Sequence, residues 1–435
     1  MGVIKDQAYW ARLVEECFRR EAGPQAALPS PEQDLIETGA LDSMGWVSFL
    51  RALESASGIS QLGTLLTQRT PSLESIFRVI RETQKETAAG ITGVLDTGAS
   101  LPAAGRDRTQ LSAILVSSGA AVGSRTVSSE DIDRAFGMPP GKLRLRAGIE
   151  SLAYAEENEN ELTLGARAAQ QSLRSVACGA QELDWIIATS ETHRGYPSLS
   201  AQLHSQLLAR ETCAALDVGG ACLGLLNALT VAQGLIASGR ARTVLVVTSD
   251  VHSRILIPGK VAGEFGGLFG DGASAFLLRA AASSSPLFSY LLGEFIFGCA
   301  GQYAGAIKVA DSPNGNLDVH FDGEALSRAA ITRMEKVLLD VELRSGIART
   351  SVLGLATHQP NPRLVTLLAK QLGLPTAKFP SVARTSGNLG SSTCGAALNT
   401  ILQGARDPLT KKPGPIFLAS LGPGLLFGGG WLTPA

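Results

Sequence analysis

A chain of 435 residues exceeds one ordinary domain, and 45% hydrophobic against 18% charged residues is ample for a large core. The formal charge of −1 and the lack of any basic run exclude general binding to nucleic acid or an anionic membrane. Six cysteines scattered without CxxC spacing disfavour a metal site or a disulfide framework.

Residues 6–20 (DQAYWARLVEECFRR) place Trp10, Leu13, Val14, Cys17 and Phe18 on one face of an amphipathic helix. A loop with Pro24, Pro29 and Pro31 follows. In DLIETGALDSMGWVSFLRALESASG, Asp42 and Ser43 stand where a helix cap is expected, ahead of a helix bearing Met44, Val47, Phe49, Leu50 and Leu53. Pro71 and Ser72 open a further amphipathic helix, PSLESIFRVIRET. Residues 87–107 are rich in Ala, Gly and Thr without a helical or alternating period, as in an exposed linker. The expected division is 1–88, a flexible linker at 89–109, and a second domain at 110–435.

That second region alternates short apolar runs (SAILVSSGAAV, DWIIATSET, TVLVVTSDV, SAFLLRA, VLGLAT, PIFLASLG) with helical patterns at 162–178, 222–238, 325–343 and 363–373. Continuous apolar strands separated by helices predict an α/β fold with sheets buried on both faces. With no signal-peptide pattern and no apolar stretch of transmembrane length, a soluble cytoplasmic protein is expected.

Cys222 stands where the apolar stretch CAALD passes through Val218, Gly219, Gly220 and Ala221 into a helical pattern. Unpaired N–H groups and the positive end of the dipole at a helix start lower a thiol pKa from about 8.5, making sulfur nucleophilic. The same pattern fits a small apolar residue packed between strand and helix. His358 ends a strand-like run in SVLGLATHQPNPR, and Asn388 lies in the loop SGNLGSSTCGAAL. Both are able to donate hydrogen bonds to a developing oxyanion or enolate. Cys17, Cys178, Cys213, Cys299 and Cys394 are expected to be buried apolar residues.

SETHRGYPSLSAQLHSQL, LDVGGACLGLLNAL, VLVVTSDVHSR, FGDGASAFLL, THQPNPRL, SGNLGSSTCGAAL and LGPGLLFGGG follow one another in an order that resembles the ketosynthase III branch of the thiolase fold, over about residues 110–435. The resemblance implies a five-layered α-β-α-β-α domain of two similar halves and a homodimer. It implies that Cys222 accepts the acyl group, while His358 and Asn388 stabilise charge during decarboxylation of a malonyl-type extender. Arg146, Asn361 and Tyr196 become candidates for substrate contact, Tyr196 also for the dimer interface, and His193 and His204 read as structural. Two departures stand out. Lys142 replaces the tryptophan that in housekeeping members stacks on the adenine of coenzyme A, which weakens the case for a coenzyme A donor and leaves room for a carrier-protein donor, although a lysine is still able to pair with phosphate. Pro423 has no N–H to give an oxyanion, which leaves that work chiefly to the Cys222 amide.

Residues 1–88 resemble an acyl carrier protein, a four-helix bundle, with LDSM where that family bears its 4'-phosphopantetheine arm. The resemblance implies attachment at Ser43, and hence a phosphopantetheinyl transferase as a partner. A carrier usually presents an acidic recognition helix, but only Glu54 lies between Ser43 and Gly58, so steering toward other carrier-binding proteins is weak. The function expected is condensation of acyl and malonyl-type thioesters in a specialised polyketide or fatty-acyl pathway, with other carrier proteins as further partners. Two alternatives stay open: acyl transfer through Cys222 to an alcohol or amine, and a non-catalytic acyl shuttle.

Overall fold

The computed structural model describes residues 7–57, 66, 70–88, 111–281, 289–311, 317–406 and 413–435. Contacts divide the chain into two compact units, residues 1–106 with 322–329, and 107–321 with 330–435. The linker expected at 89–109 lies outside the described residues.

The first unit contains helices α1 (Gln7–Ala22), α2 (Ser43–Ser57) and α3 (Leu73–Ala88). Their apolar faces meet in one core of Trp10, Val14 and Phe18 from α1, Trp46, Phe49 and Leu53 from α2, and Ile76, Val79 and Ile80 from α3. Phe18 and Phe49 pack edge to face with ring centroids 6.1 Å apart. The Asp42 carboxylate accepts the Gly45 amide at 2.7 Å, so Asp42 caps α2 and Ser43 is the helix's first residue. Ser72 does the same for α3, accepting the Ser75 amide at 3.2 Å.

The second unit is built on a mixed sheet of nine strands: β1 (Ala113–Val122), β4 (Trp185–Thr189), β5 (Ala214–Asp217), β6 (Thr243–Val251), β7 (Asp271–Ala280), β8 (Tyr290–Cys299), β11 (Gly354–Thr357), β12 (Ile416–Gly422) and β13 (Leu426–Pro434). Two hairpin-like pairs stand apart from it, β2 (Arg125–Ser128) with β3 (Ser151–Tyr154) and β9 (Ile307–Asp311) with β10 (Leu317–Phe321). The nine strands fall into two halves, β5-β4-β6-β7-β1 and β8-β13-β12-β11. Among the described residues, the two half-sheets pair through Ile114 with Leu291 and Leu115 with Tyr290.

Strand alternation then sorts the helices into layers, because successive side chains leave a strand on opposite faces. Leu245 and Val247 face a core shared with α4 (Glu161–Ser175), whereas Val244 and Val246 face one shared with α5 (Gly224–Ala237) and α8 (Ser392–Ala405). In the other half, Ile416 and Leu418 join that same central core. Phe417, Ala419 and Leu421 turn to a third core, with Met334 and Val341 of α6 (Gly323–Ser345) and Val365 and Leu368 of α7 (Pro362–Leu372). Three helical layers thus enclose two half-sheets, the layering implied by the thiolase-like resemblance. One expectation fails here: Cys299 is exposed, because it ends β8, where the strand leaves the core.

Candidate active site

Cys222 lies in a tight 3-10 turn, Ala221–Leu223, that runs directly into α5. Two successive residues before it adopt positive φ, Gly220 at 132° and Ala221 at 48°. Gly220 is required on two counts: its φ is closed to other residues, and a Cβ there would lie 2.3 Å from Asn227 Nδ2. Asn227 in turn holds the Gly219 carbonyl at 3.0 Å. The turn is anchored from the other half of the molecule, where Ser420 Oγ donates to the Cys222 carbonyl at 2.7 Å.

His358 is fixed by the next residue of the same strand. Its amide donates to the carbonyl of Ala419 at 3.0 Å, so neighbouring residues of β12 hold the backbones of His358 and Cys222. The ring is buried and its Nδ1 has no hydrogen-bond partner. Burial holds its pKa down to about 4, so the imidazole is neutral at physiological pH.

Asn388 precedes α8 and is also buried. Its Oδ1 accepts from the Gly390 amide at 3.0 Å and from Thr393 Oγ1 at 3.0 Å, which fixes the amide plane and turns the NH2 away from both. Its backbone bridges to the first half, with its amide on Leu268 and its carbonyl on Gly270.

Three further residues, which sequence reasoning missed, complete the cluster. Glu191 follows β4, and Asp250 and His252 lie at the end of β6. Parallel pairing aligns Thr189 with Thr248, so the segments Thr-Ser-Glu at 189–191 and Thr-Ser-Asp at 248–250 run side by side. This repeated triplet at the ends of two strand-like runs was the available signal. Asp250 accepts the Glu191 amide at 2.5 Å and, on its other oxygen, the Ser391 amide at 3.0 Å and hydroxyl at 2.6 Å. It therefore pins the Glu191 turn to the loop that carries Asn388. Glu191 Oε2 is 3.6 Å from His252 Nε2, an ion-pair distance.

The protonation states follow from this packing. Burial opposes the charge on His252, but the Glu191 and Asp250 carboxylates raise its pKa to about 9. Burial and the neighbouring Glu191 charge push Asp250 up to about 7. Burial acts against Glu191 as well, yet His252 holds its carboxyl below the usual range. The helix-start argument fails for Cys222, because burial and the Glu191 carboxylate raise its thiol pKa well above the ordinary value.

The other candidates lie elsewhere on the surface or serve the local fold. Asn361 Oδ1 caps α7 through the Leu364 amide at 2.9 Å. Arg146 is exposed, and its carbonyl accepts from Arg363. Tyr196 is fully exposed. Lys142 Nζ lies 3.5 Å from Glu264 Oε1. His193 and His204 bond the carbonyls of Pro197 and Arg210, at 3.1 and 3.0 Å.

Residues 216–294 match the 3-oxoacyl-(acyl-carrier-protein) synthase III family and residues 344–433 match its C-terminal part. A beta-ketoacyl-(acyl-carrier-protein) synthase III of Streptomyces coelicolor is 31% identical over 333 residues, which are 74% of this chain and 96% of that protein. The chain belongs to the 3-oxoacyl-(acyl-carrier-protein) synthase III family. It is therefore an enzyme, an acyltransferase of the condensing type. Solved structures agree on the fold. A synthase III from Aquifex aeolicus is similar with a TM-score of 0.65 at 24% identity, over 74% of this chain and 99% of that one. The priming beta-ketosynthase of the R1128 polyketide pathway gives 0.66 at 24% identity, over 76% and 99%. Residues 1–88 fall outside the segments that match the synthase III family models. Among the described residues, no helix is long and apolar enough to cross a membrane.

Proposed function

We propose that the chain is a carrier-fused synthase III that loads an acyl group on Cys222 and condenses it with a malonyl-type unit. The observation that carries this reading is the adjacent anchoring of Cys222 and His358 on Ser420 and Ala419 of β12, which brings a thiol and a neutral imidazole from different halves into one buried site. Acyl transfer to Cys222 forms a thioester. The negative charge then built up as carbon dioxide leaves the extender falls to hydrogen bonds from His358 and from the Asn388 NH2. The neutral imidazole still carries one ring N–H, and that N–H is the donor the developing charge requires. The Cys222 amide serves the oxyanion of the acyl-transfer step, in place of Pro423.

The relatives are named for making 3-oxoacyl or beta-ketoacyl groups on acyl carrier protein, and one structural neighbour for priming a polyketide. This supports acyl and malonyl thioesters on carrier proteins as substrates, in a specialised polyketide or fatty-acyl pathway. The pairing of Lys142 with Glu264 leaves that lysine poorly placed to bind the phosphates of coenzyme A. In the N-terminal unit, Ser43 would hold 4'-phosphopantetheine. The cap of α2 comes from Asp42, so the serine is not needed for that task. When bound, the group supplies a flexible thiol that carries an acyl chain. Glu54 pairs with Arg51 at 3.1 Å, which weakens electrostatic recognition, and covalent fusion compensates with an effective concentration on the order of mM. The exposed edge strand β5, with Leu216, and the exposed Tyr196 favour a homodimer.

Intact-mass measurement on the full chain with acyl and malonyl thioesters tests this. Wild type should form acyl-Cys222 and then release carbon dioxide with a chain-extended product, whereas His358→Ala and Asn388→Ala should acylate but lose condensation by at least a hundredfold. Acyl-Cys222 that never yields carbon dioxide would move the assignment to simple acyl transfer. Phosphopantetheine on Ser43→Ala would refute the attachment site.

A further inference from the structure

We propose that Thr393 is a positioning residue for condensation, whose hydroxyl holds the Asn388 amide so that its NH2, and not its oxygen, meets the charge left on the extender. This rests on the reading of Asn388 as a donor to that charge. No bond is made or broken at Thr393 itself.

An asparagine amide needs such a hold. Its terminal torsion is broad and roughly two-fold, and its oxygen and nitrogen are close in size. Turned over, Asn388 would present an acceptor to negative charge and oppose the step it serves. Two donors from different elements meet on Asn388 Oδ1: the Gly390 amide at 3.0 Å, from the same loop, and the Thr393 hydroxyl at 3.0 Å, from the first turn of α8. A backbone N–H only donates, so the atom that faces Gly390 is the oxygen. The Gly390 bond thus decides which end of the amide faces the loop, and the Thr393 bond stops the amide from swinging about it.

The threonine hydroxyl is fully committed to this loop. Thr393 Oγ1 accepts the Leu389 amide at 2.8 Å, which leaves its single proton for the acceptors in reach, Asn388 Oδ1 and the Gly390 carbonyl at 3.1 Å. One hydroxyl therefore binds three consecutive residues, Asn388, Leu389 and Gly390. All its partners are buried with it, so water cannot take its place. The branched Cβ adds stiffness by restricting the side-chain torsion. Ser391 supports the loop differently, because its amide and hydroxyl both go to Asp250 and fix backbone alone. Among the described residues, Thr393 is the one side chain hydrogen-bonded to the Asn388 amide.

The test uses the full chain with hexanoyl and malonyl thioesters of N-acetylcysteamine, following Cys222 acylation by intact mass and carbon dioxide release from the extender. Thr393→Val keeps the shape without the hydroxyl; it should acylate within about twofold of wild type but release carbon dioxide about tenfold more slowly, the worth of one hydrogen bond. Thr393→Ser restores the hydroxyl and should recover most of the wild-type rate. Adding Thr393→Val to Asn388→Ala should slow condensation no further, because the group it positions is gone. A merely structural threonine would slow acylation equally, or add its loss to that of Asn388→Ala. Either result, no rescue by Thr393→Ser, or wild-type condensation in Thr393→Val would overturn the assignment. Wild type that acylates without releasing carbon dioxide, or Asn388→Ala that condenses as fast as wild type, would instead sink the reading of Asn388, and the role of Thr393 with it.

Discussion

Ser420 Oγ donates a 2.7 Å hydrogen bond to the carbonyl of Cys222, tying the nucleophile turn of one half-sheet to a strand of the other. Both residues are buried, so water cannot replace the bond. Ser420→Ala leaves the carbonyl without this donor and should cost about 1–3 kcal/mol. Urea denaturation would measure the loss, and Cys222 acylation should slow in parallel. Unchanged stability and rate would show that the turn holds itself.

Gly390 packs its backbone against the acid–base cluster at φ 58°. A Cβ there would lie 2.5 Å from His252 Cε1, 2.9 Å from Asp250 Oδ2 and 3.0 Å from Glu191 Oε1. Gly390→Ala should therefore displace the Asn388 loop as well as add about 1–2 kcal/mol of left-handed strain. A fall in both melting temperature and kcat is the expected result, and wild-type kcat in this variant would reject the packing.

The His252 ion pair sets a pH dependence. Its folded pKa of about 9 exceeds the ordinary 6.5, so between those values the folded state keeps a proton that the unfolded chain has released. Its contribution to stability is full below pH 6.5 and is lost as pH rises through 9. The melting temperature of the catalytic unit should fall from pH 7 to 9.5, and less steeply in His252→Gln. Equal slopes would mean that His252 is not charged in the folded state.

Trp46 is fully buried in the core of the N-terminal unit, against residues of α1 and α3. Trp46→Ala should cost that unit about 3–5 kcal/mol. Calorimetry should show an early N-terminal transition while the catalytic transition and the acylation rate stay in place. A shift of both transitions together would mean that the units do not fold independently.

Regular elements were legible where local pattern and burial agree. The run TVLVVTSDV is β6 over the same nine residues, and the helical pattern at 363–373 is α7 displaced by one residue. β13 was obscured by its composition, because LFGGGWLTP carries three glycines where strands disfavour them. The fold explains them: side chains at Gly428 and Gly430 would collide with Phe297 and Phe295 of the paired strand β8. Cys222, His358 and Asn388 announced themselves through loops of distinctive composition. Glu191, Asp250 and His252 did not, since their meaning comes from the parallel pairing of β4 with β6 and from burial. Burial also reversed the expected direction of the Cys222 pKa, which helix position alone could not weigh.

The narrow seam between the half-sheets has a chemical counterpart. The first half carries Cys222, Glu191, Asp250 and His252, and the second carries His358, while Asn388 reaches the cluster through a loop of the second half. On the proposed roles, taking up an acyl group belongs to one half and making a carbon–carbon bond needs the other. On those roles, changes at His358 and Asn388 that leave Ser420 in place would turn a condensing enzyme into an acyl-transfer enzyme, because Ser420 still holds the turn that loads the acyl group.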